Sequence, residues 1–287
     1  MPLGFHVGRK SNDKSIPIVQ ALEDAFKLLK EYDIVPAAQI FIVGPQNYKQ
    51  LLTQQDKKDL RRLAKEFPIV IHGAYIDNPW KLRPGTIHNI KTELIISSEI
   101  ESAGVIIHLG NNTNSTLETV LNKISTVKLK SKTTLWLEIN SVKSSDKSFE
   151  TPEKINALFD KIYDLQISND MLEIGLCIDT AHLFSSGNSL NTYGKAQEYF
   201  ESLSKNIPLL IHLNDSGSQC GSGKDIHSAL TLGNIWGKYK NSIEDSGLMY
   251  ILDYAEKNSL IVILERNPEG LANDLNLIRS LGFFTKQ

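Results

Sequence analysis

Short apolar segments alternate with longer amphipathic segments along the whole chain. The short segments are rich in Ile, Leu and Val and are apolar at consecutive positions, which is typical of parallel strands covered on both faces. They predict strands at residues 3–8, 37–43, 68–74, 104–109, 133–139, 174–180, 208–214 and 260–266. Apolar residues at helical spacing predict helices at residues 15–31, 86–102, 116–123, 152–165, 193–203 and 247–258.

Eight strand–helix units in 287 residues match the size of a (β/α)8 TIM barrel. No Pro/Gly/Ser-rich linker interrupts the pattern, so we expect a single domain over residues 1–287. A doubly wound open sheet would show the same alternation. Polar residues follow the third to eighth strands, and only a closed barrel brings so many strand ends to one centre. The pattern therefore favours the barrel, with its active site at the C-terminal ends of the strands.

The composition is ordinary for a globular protein, with 41% hydrophobic residues, 22% charged residues and a net charge of −2. Nucleic-acid binding would therefore depend on a local field from metals and a few basic side chains. Two cysteines indicate a reducing compartment, and Cys177 lies in an apolar run that suggests a core position. The sequence predicts an intracellular, monomeric protein without membrane or signal segments, and leaves cytoplasm, nucleus and viral particle open.

Histidines and carboxylates stand at or just beyond the ends of the predicted strands, where buried polar groups need a partner. The intervals between successive strand-end groups are close to one strand–helix–strand period, except for a longer one before the last strand. Three further groups lie in the loops that follow. The nine candidate metal ligands are His72, His108, Glu138, Asp179, His182, His212, Asp225, His227 and Glu265.

Nitrogen and oxygen ligands without thiolate indicate zinc, or manganese at some sites. Nine ligands exceed what one tetrahedral site can use. Two or three ions in one pocket are typical of phosphoryl transfer, so the pattern predicts a multinuclear hydrolase.

The sequence strings that carry these residues resemble the endonuclease IV family of apurinic/apyrimidinic (AP) endonucleases. They are HGAY, HLG, LEIN, CIDTAH, HLNDS, the pair Asp225-x-His227 and LERN, in the family's order and spacing over essentially the whole chain. CIDTAH, and HLNDS followed by D-x-H, are specific to the family. The resemblance implies a barrel with three zinc ions that acts on abasic sites in double-stranded DNA.

Carried over by position, the resemblance implies how the ligands divide among the three zinc ions. The first would take His72, His108 and Glu138; the second Glu138, Asp179, His212 and Glu265; the third His182, Asp225 and His227. Glu138 and Glu265 are the implied catalytic residues. The implied reaction hydrolyses the phosphodiester 5′ to the abasic site and leaves a 3′-hydroxyl and a 5′-deoxyribose phosphate. Trimming of 3′ ends and 3′→5′ exonuclease activity stay open.

Contacts with DNA are expected from loops at the same face of the barrel. Tyr75 and Ile76 match the family's wedge, which fills the gap left by a flipped abasic nucleotide. In the loop after the second strand, family members often carry an arginine where this chain has Gln46, Asn47 and Tyr48; Gln46 and Tyr48 could substitute by hydrogen bonding and stacking. Candidate phosphate contacts are Arg9, Lys224 and Arg266.

Two other functions fit parts of the sequence. A sugar isomerase or epimerase on the same barrel would use one divalent ion held by Glu138, Asp179, His212 and Glu265, which leaves the other five groups without a purpose. A metal-stabilised DNA-binding module without catalysis fits the wedge but not the oxygen-rich ligand set. Gly221–Lys224 resembles part of a phosphate-binding loop but lacks the required first glycine and the following Ser or Thr, so no nucleotide cofactor is predicted.

Overall fold

In the computed structural model of the protein, eight parallel strands close into a barrel within the described part of the chain. The described residues are 1–8, 10–11, 14–43, 52–74, 79–110, 116–143, 145, 148–165, 167, 169–266 and 268–284. The barrel strands are β1 (Leu3–Val7), β2 (Pro36–Ile40), β3 (Ile69–His72), β4 (Val105–His108), β5 (Thr133–Glu138), β6 (Leu172–Asp179), β7 (Leu209–His212) and β8 (Ile261–Leu264). Each strand pairs with its sequence neighbours, and β8 pairs with β1 to close the ring.

Helices cover the outside of the barrel. Those in the described residues are α1 (Ile18–Glu31), α2 (Gln54–Ala64), α3 (Pro84–Ile100), α4 (Leu117–Ser125), α5 (Pro152–Asp164), α6 (Thr180–Ser185), α7 (Tyr193–Glu201), α8 (Gly247–Lys257) and α9 (Pro268–Ser280). In α1, Ile18, Ala21, Leu22, Ala25 and Leu29 are buried at the i, i+3, i+4 spacing of one helix face. Among the described residues, none of the helices combines the length and the apolar character that crossing a membrane requires.

The interior of the barrel contains a layer of apolar side chains directly beneath the predicted metal ligands. This layer consists of Val70, Ile106, Trp136, Cys177 and Leu210, all buried. Each member lies two residues before a predicted ligand on the same strand, and side chains two residues apart point to the same face of a strand. The strand alternation therefore places the polar groups inside the barrel, at its C-terminal rim.

The structure confirms the predicted barrel and all eight strands, with small differences in their bounds. β2 ends at Ile40 and β7 at His212, before the predicted ends at residues 43 and 214. Three helices were not predicted: α2, α6 and α9. In α2, Leu60 and Leu63 are the only buried residues, and the mostly charged sequence has few apolar positions from which a helix can be predicted.

Gly4 in β1 lies where β1 and β2 pack too closely for a larger side chain. A Cβ atom at Gly4 would overlap the main-chain carbonyl of Ala37 on the paired strand, whereas a Cβ at Gly8 would meet nothing within 4 Å. We expect Gly4→Ala to lower the free energy of unfolding by about 1–3 kcal/mol, as overpacking does, and Gly8→Ala to change it by less than about 0.5 kcal/mol. Urea denaturation measures both, and equal effects would contradict the packing argument.

Candidate metal centre

The strand register of the barrel places the predicted ligands next to one another at its rim. His108 at the end of β4 lies in register with Glu138 at the end of β5, and Asp179 at the end of β6 lies in register with His212 at the end of β7. Glu265 follows β8 directly. Because the strands are parallel, these side chains all reach the same end of the barrel.

Glu138 lies at the centre of the cluster and is fully buried. Its Oε2 is 3.2 Å from His72 Nε2 and 3.1 Å from His108 Nε2. Its Oε1 is 3.1 Å from His212 Nδ1, so each carboxylate oxygen faces a different group of imidazoles. A single carboxylate in this position can bridge two cation sites.

His212 Nδ1 faces three carboxylates. It lies 3.1 Å from Glu138 Oε1, 3.4 Å from Glu265 Oε2 and 3.9 Å from Asp179 Oδ2. The four side chains can offer one atom each within 4.8 Å of one another, which is close enough to share an ion. The spacing within this group matches the second predicted ligand set.

A third group forms around Asp225, at the more exposed side of the rim. Asp225 Oδ1 lies 3.3 Å from His182 Nε2 and 3.2 Å from His227 Nε2. Asp179 Oδ2 approaches His227 Nε2 at 3.5 Å, so Asp179 stands between the second and third groups. The structure thus brings all nine predicted ligands together in three adjoining groups.

The spacing in CIDTAH follows from a helix cap. Asp179 is the N-cap of the short helix α6, and its Oδ1 accepts a hydrogen bond of 2.9 Å from the main-chain N–H of His182. An N-cap carboxylate fixes the first turn of a helix. Asp179 therefore places His182 one turn along, while its other oxygen faces the cluster.

Asp215 folds the loop that carries Asp225 and His227. Its buried carboxylate accepts hydrogen bonds from the main-chain N–H groups of Ser216, Gly233, Ile235 and Trp236. The two-residue strands Asp215–Ser216 and His227–Ser228 then pair antiparallel, which returns His227 to the rim. The HLNDS string thus contributes one predicted ligand and one residue that shapes the loop.

Main-chain carbonyls orient three of the histidines. The Nδ1 atoms of His72 and His182 lie 2.8 Å from the carbonyl oxygens of Gly73 and Ile139, and His227 Nδ1 lies 3.2 Å from the carbonyl oxygen of Glu265. A carbonyl accepts only, so each Nδ1 carries a hydrogen. In the neutral imidazole the lone pair is then on Nε2, which is the atom that faces the cluster in all three residues.

Side-chain amides, which the sequence interpretation did not identify, contact the same ligands. Asn140 Nδ2 lies 3.1 Å from His108 Nδ1, and Asn214 Nδ2 donates to Asp179 Oδ2 at 2.7 Å. Gln39 contacts both His212 and Glu265. A signal was present, because Asn140 and Asn214 each stand two residues after a predicted ligand and Gln39 interrupts an apolar strand.

The carboxylates are balanced by imidazoles that hold protons tightly. Burial disfavours the charged forms of His182 and His227, but Asp179 and Asp225 outweigh it and raise their pKa values to about 10 and about 9. Burial likewise opposes a charge on His212, yet the carboxylates of Glu265 and Glu138 raise its pKa well above the ordinary range. The site therefore demands positive charge, which divalent cations can supply in place of these protons.

The ligand side chains of the cluster differ in how much of their surface is exposed. Glu138, Asp179 and His212 are completely buried, whereas the side chains of His108 and Asp225 are 31% and 54% exposed. A substrate can therefore reach the cluster from the side of His108 and Asp225. The buried carboxylates lie beneath it.

Two of the predicted DNA contacts can be located. Lys224 is exposed next to Asp225 at the accessible side of the cluster. Arg266 is largely buried, and its Nε lies 3.1 Å from Asp274 Oδ2 of α9. The remaining predicted contacts lie outside the described residues: Arg9, Gln46, Asn47, Tyr48, Tyr75 and Ile76.

Comparison with known proteins bears on this arrangement. Residues 26–281 match the family described as the xylose isomerase-like TIM barrel. The chain is 36% identical over 241 residues to a protein of African swine fever virus named "Probable AP endonuclease", which covers 80% of this chain and 79% of that protein. The chain belongs to the endonuclease IV family of AP endonucleases.

One solved structure agrees with this membership, and a second agrees with the fold. The structure named AsfvAP:AG superposes with a TM-score of 0.88 at 29% identity, covering 98% of both chains. Endonuclease IV from Thermus thermophilus superposes with a TM-score of 0.72 at 22% identity, also over 98% of both chains, and supports the fold.

Glu93 of α3 is a buried acid behind the centre of this endonuclease IV family member. Its carboxyl accepts a hydrogen bond from the main-chain N–H of Ala74, in the turn that follows His72. Oε1 of Glu93 has no hydrogen-bond partner among the described residues. Burial raises the pKa of Glu93 to about 8, so the carboxyl is mostly protonated at neutral pH.

We expect Glu93→Gln to change how stability depends on pH. In the unfolded chain Glu93 ionises near pH 4.5, but in the folded protein it keeps its proton to about pH 8. Its contribution is therefore fully present below pH 4.5 and declines as pH rises towards 8, by at most about 1.4 kcal/mol per pH unit. Urea unfolding at pH 5, 7 and 9 should show that the free energy of unfolding of Glu93→Gln rises relative to that of the parent protein as the pH increases. A constant difference would contradict the assignment.

Proposed function

We propose that this protein is a zinc-dependent AP endonuclease that hydrolyses the phosphodiester 5′ to abasic sites in double-stranded DNA. The relative from African swine fever virus is named as an AP endonuclease, and family membership supports the same class of activity here. The products would be a 3′-hydroxyl and a 5′-deoxyribose phosphate. Trimming of 3′ ends and exonuclease activity belong to the same proposal as side activities.

The observation that carries the proposal is the convergence of nine nitrogen and oxygen donors at one barrel rim. Three groups there can each share an ion: His72 with His108 and Glu138; Glu138 with Asp179, His212 and Glu265; and Asp179 with His182 and His227. Asp225 lies within 3.3 Å of the last two histidines. Groups joined by shared carboxylates favour several ions in one pocket over isolated sites.

The donor chemistry fits zinc. Zinc binds neutral imidazole and carboxylate, and the Nε2 atoms of His72, His182 and His227 are the atoms left to coordinate. Four carboxylates gathered in a largely buried cluster also need compensating cations. When bound, zinc supplies a water that ionises near neutral pH and positive charge beside the phosphate. We propose three ions per chain, with manganese as an alternative at individual sites.

The protein's own residues would bind and orient the phosphodiester. Glu138 and Glu265 hold the inner part of the cluster in place, and their burial keeps bulk water from competing there. The scissile phosphate would enter from the side of His108 and Asp225, where the cluster is exposed. Lys224 beside Asp225 is placed to contact a backbone phosphate. Arg266, held by Asp274, is the weaker candidate for that role.

An intact duplex could not deliver its backbone to this recessed cluster. An abasic nucleotide lacks a paired and stacked base, so turning it out of the helix costs less than for a normal nucleotide. Tyr75 and Ile76 follow His72 and the turn at Gly73–Ala74, which places them close along the chain to the ligand shared with Glu138. We propose that they fill the gap in the duplex, as the family's wedge does.

A sugar isomerase or epimerase is the second candidate, because the family that matches residues 26–281 is described as a xylose isomerase-like TIM barrel. Such an enzyme needs the group of Glu138, Asp179, His212 and Glu265. It gives no role to the two adjoining groups built on His72 with His108 and on His182 with His227. The metal content of the protein separates the two candidates.

We expect about three zinc ions per chain after purification and dialysis, because the three groups adjoin and share carboxylates. Elemental analysis by mass spectrometry measures the ratio directly. His182→Ala should remove about one ion and leave the others, since His182 takes part in only the outer group around Asp225. Retention of a single exchangeable ion by the parent protein would instead favour the isomerase.

We expect a single cut on the 5′ side of a tetrahydrofuran abasic analogue placed in a labelled duplex. The analogue has no aldehyde, so a cut reports hydrolysis rather than elimination. Glu265→Gln should lower the rate more than about a hundredfold, beyond the usual effect of losing a group that only orients a ligand. Glu256→Gln, an exposed change on α8, should keep full activity. An intact duplex with fully zinc-loaded parent protein would refute the proposed function.

A further inference from the structure

Gln39 occupies the part of the barrel rim from which no predicted metal ligand comes. It lies in β2, which together with β1 contributes none of the nine groups. Its side chain is completely buried, and it stands in register with His6 of β1. A buried amide in an otherwise apolar strand needs hydrogen-bond partners, because an unpaired one is costly.

The amide of Gln39 finds partners across the barrel. Its Nε2 donates to Glu265 Oε1 at 2.6 Å, and its Oε1 accepts from His212 Nε2 at 2.8 Å. The second hydrogen of Nε2 faces His6 Nδ1 at 3.3 Å. Burial lowers the pKa of His6 to about 4, so its ring is neutral and Nδ1 can accept. Exchanging the amide oxygen and nitrogen would oppose two acceptors at Glu265, so only this orientation satisfies the partners.

This arrangement selects which atoms of His212 and Glu265 face the cluster. With the hydrogen of His212 on Nε2, the lone pair of the neutral ring is on Nδ1, 3.1 Å from Glu138 Oε1. With Oε1 of Glu265 bound to Gln39, Oε2 is the oxygen that faces His212 Nδ1 at 3.4 Å. One amide thus aims two side chains from different strands at one point.

Three of the other histidine rings of the cluster are held by the main chain, whereas the fourth, His108, contacts the side chain of Asn140. His72, His182 and His227 are oriented by main-chain carbonyls, which no side-chain substitution removes. His212 depends on Gln39, a side chain 173 residues away in sequence. The orientation of this ligand is therefore open to a single mutation.

We propose that Gln39 is a positioning residue for the ion held by Glu138, Asp179, His212 and Glu265. It fixes the tautomer of His212 and the coordinating oxygen of Glu265, and so sets the affinity and placement of that ion. Partners of this kind contribute about 10- to 100-fold to metal affinity. The inference rests on the proposed zinc-dependent function.

Gln39→Met tests this role, because methionine is similar in length but makes none of the hydrogen bonds. Zinc-loaded protein is mixed with a chelator, and zinc release is followed over time. We expect one of the ions to leave about 10- to 100-fold faster than in the parent, with the others unchanged. In ¹⁵N NMR of the zinc-loaded protein, the Nε2–H signal of His212 should lose the downfield shift that its hydrogen bond to Gln39 gives, because methionine offers no strong acceptor. Release and spectra identical to those of the parent protein would overturn the proposal.

Two further variants separate positioning from general destabilisation. Asn169→Leu removes a structural amide that bonds the carbonyls of Ser125 and Val127, so it should lower stability without changing zinc release. Gln39→Glu keeps an acceptor for His212 but sets a second carboxylate against Glu265, so it should also release one ion faster. If Gln39→Met does not fold, Gln39→Glu replaces it in the zinc-release experiment. Faster release in Asn169→Leu alone would contradict the proposal.

The same experiments distinguish the two levels of inference. A parent protein that neither holds zinc nor cuts the abasic duplex would refute the proposed function. A parent protein that does both, with Gln39 variants that release zinc as it does, would refute only the role of Gln39.

Discussion

The structure depends on keeping four carboxylates close together at the rim of a closed sheet. Glu138, Asp179, Asp225 and Glu265 would repel one another unless positive charge lay between them, and two of the four are completely buried. The carboxylates stabilise the protonated form of the neighbouring imidazoles, which is why the pKa values of His182, His212 and His227 are raised. Divalent cations would supply the positive charge between the carboxylates while the imidazoles stay neutral, because these ions take neutral imidazole as a ligand.

The barrel makes this arrangement possible because its rigid parts lie below the polar groups. The apolar layer that includes Trp136 and Cys177 packs in the interior, two residues before the ligands on β3 to β7. Register then sets neighbours, such as His108 beside Glu138 and Asp179 beside His212. Only the outer group around Asp225 depends on a loop, and Asp215 compensates by binding four main-chain N–H groups. The strands therefore position the ligands at their ends, and buried hydrogen bonds position the ligands that lie in a loop.

The barrel and its ligands could be predicted from the sequence because both leave a periodic signal. Consecutive apolar residues marked the strands, and the residues that ended them recurred at one strand–helix–strand period. Helix α2 was not predicted because only Leu60 and Leu63 of its mostly charged sequence are buried, which leaves few apolar positions to mark a helix. Gln39, Asn140 and Asn214 escaped for another reason. Their partners lie on other strands, so their role is visible only once the barrel closes.

The eight strands differ in how they contribute to the rim. β3 to β8 end in or lead into groups that can bind cations, whereas β1 and β2 supply His6 and Gln39, which contact one another. Gln39 also contacts the ligands His212 and Glu265. Because Gln39 is neutral, it can bind a histidine and a carboxylate at once without adding to the charge that the cations must balance. The rim at β1 and β2, which carries no ligand, thus helps to orient ligands that other strands carry.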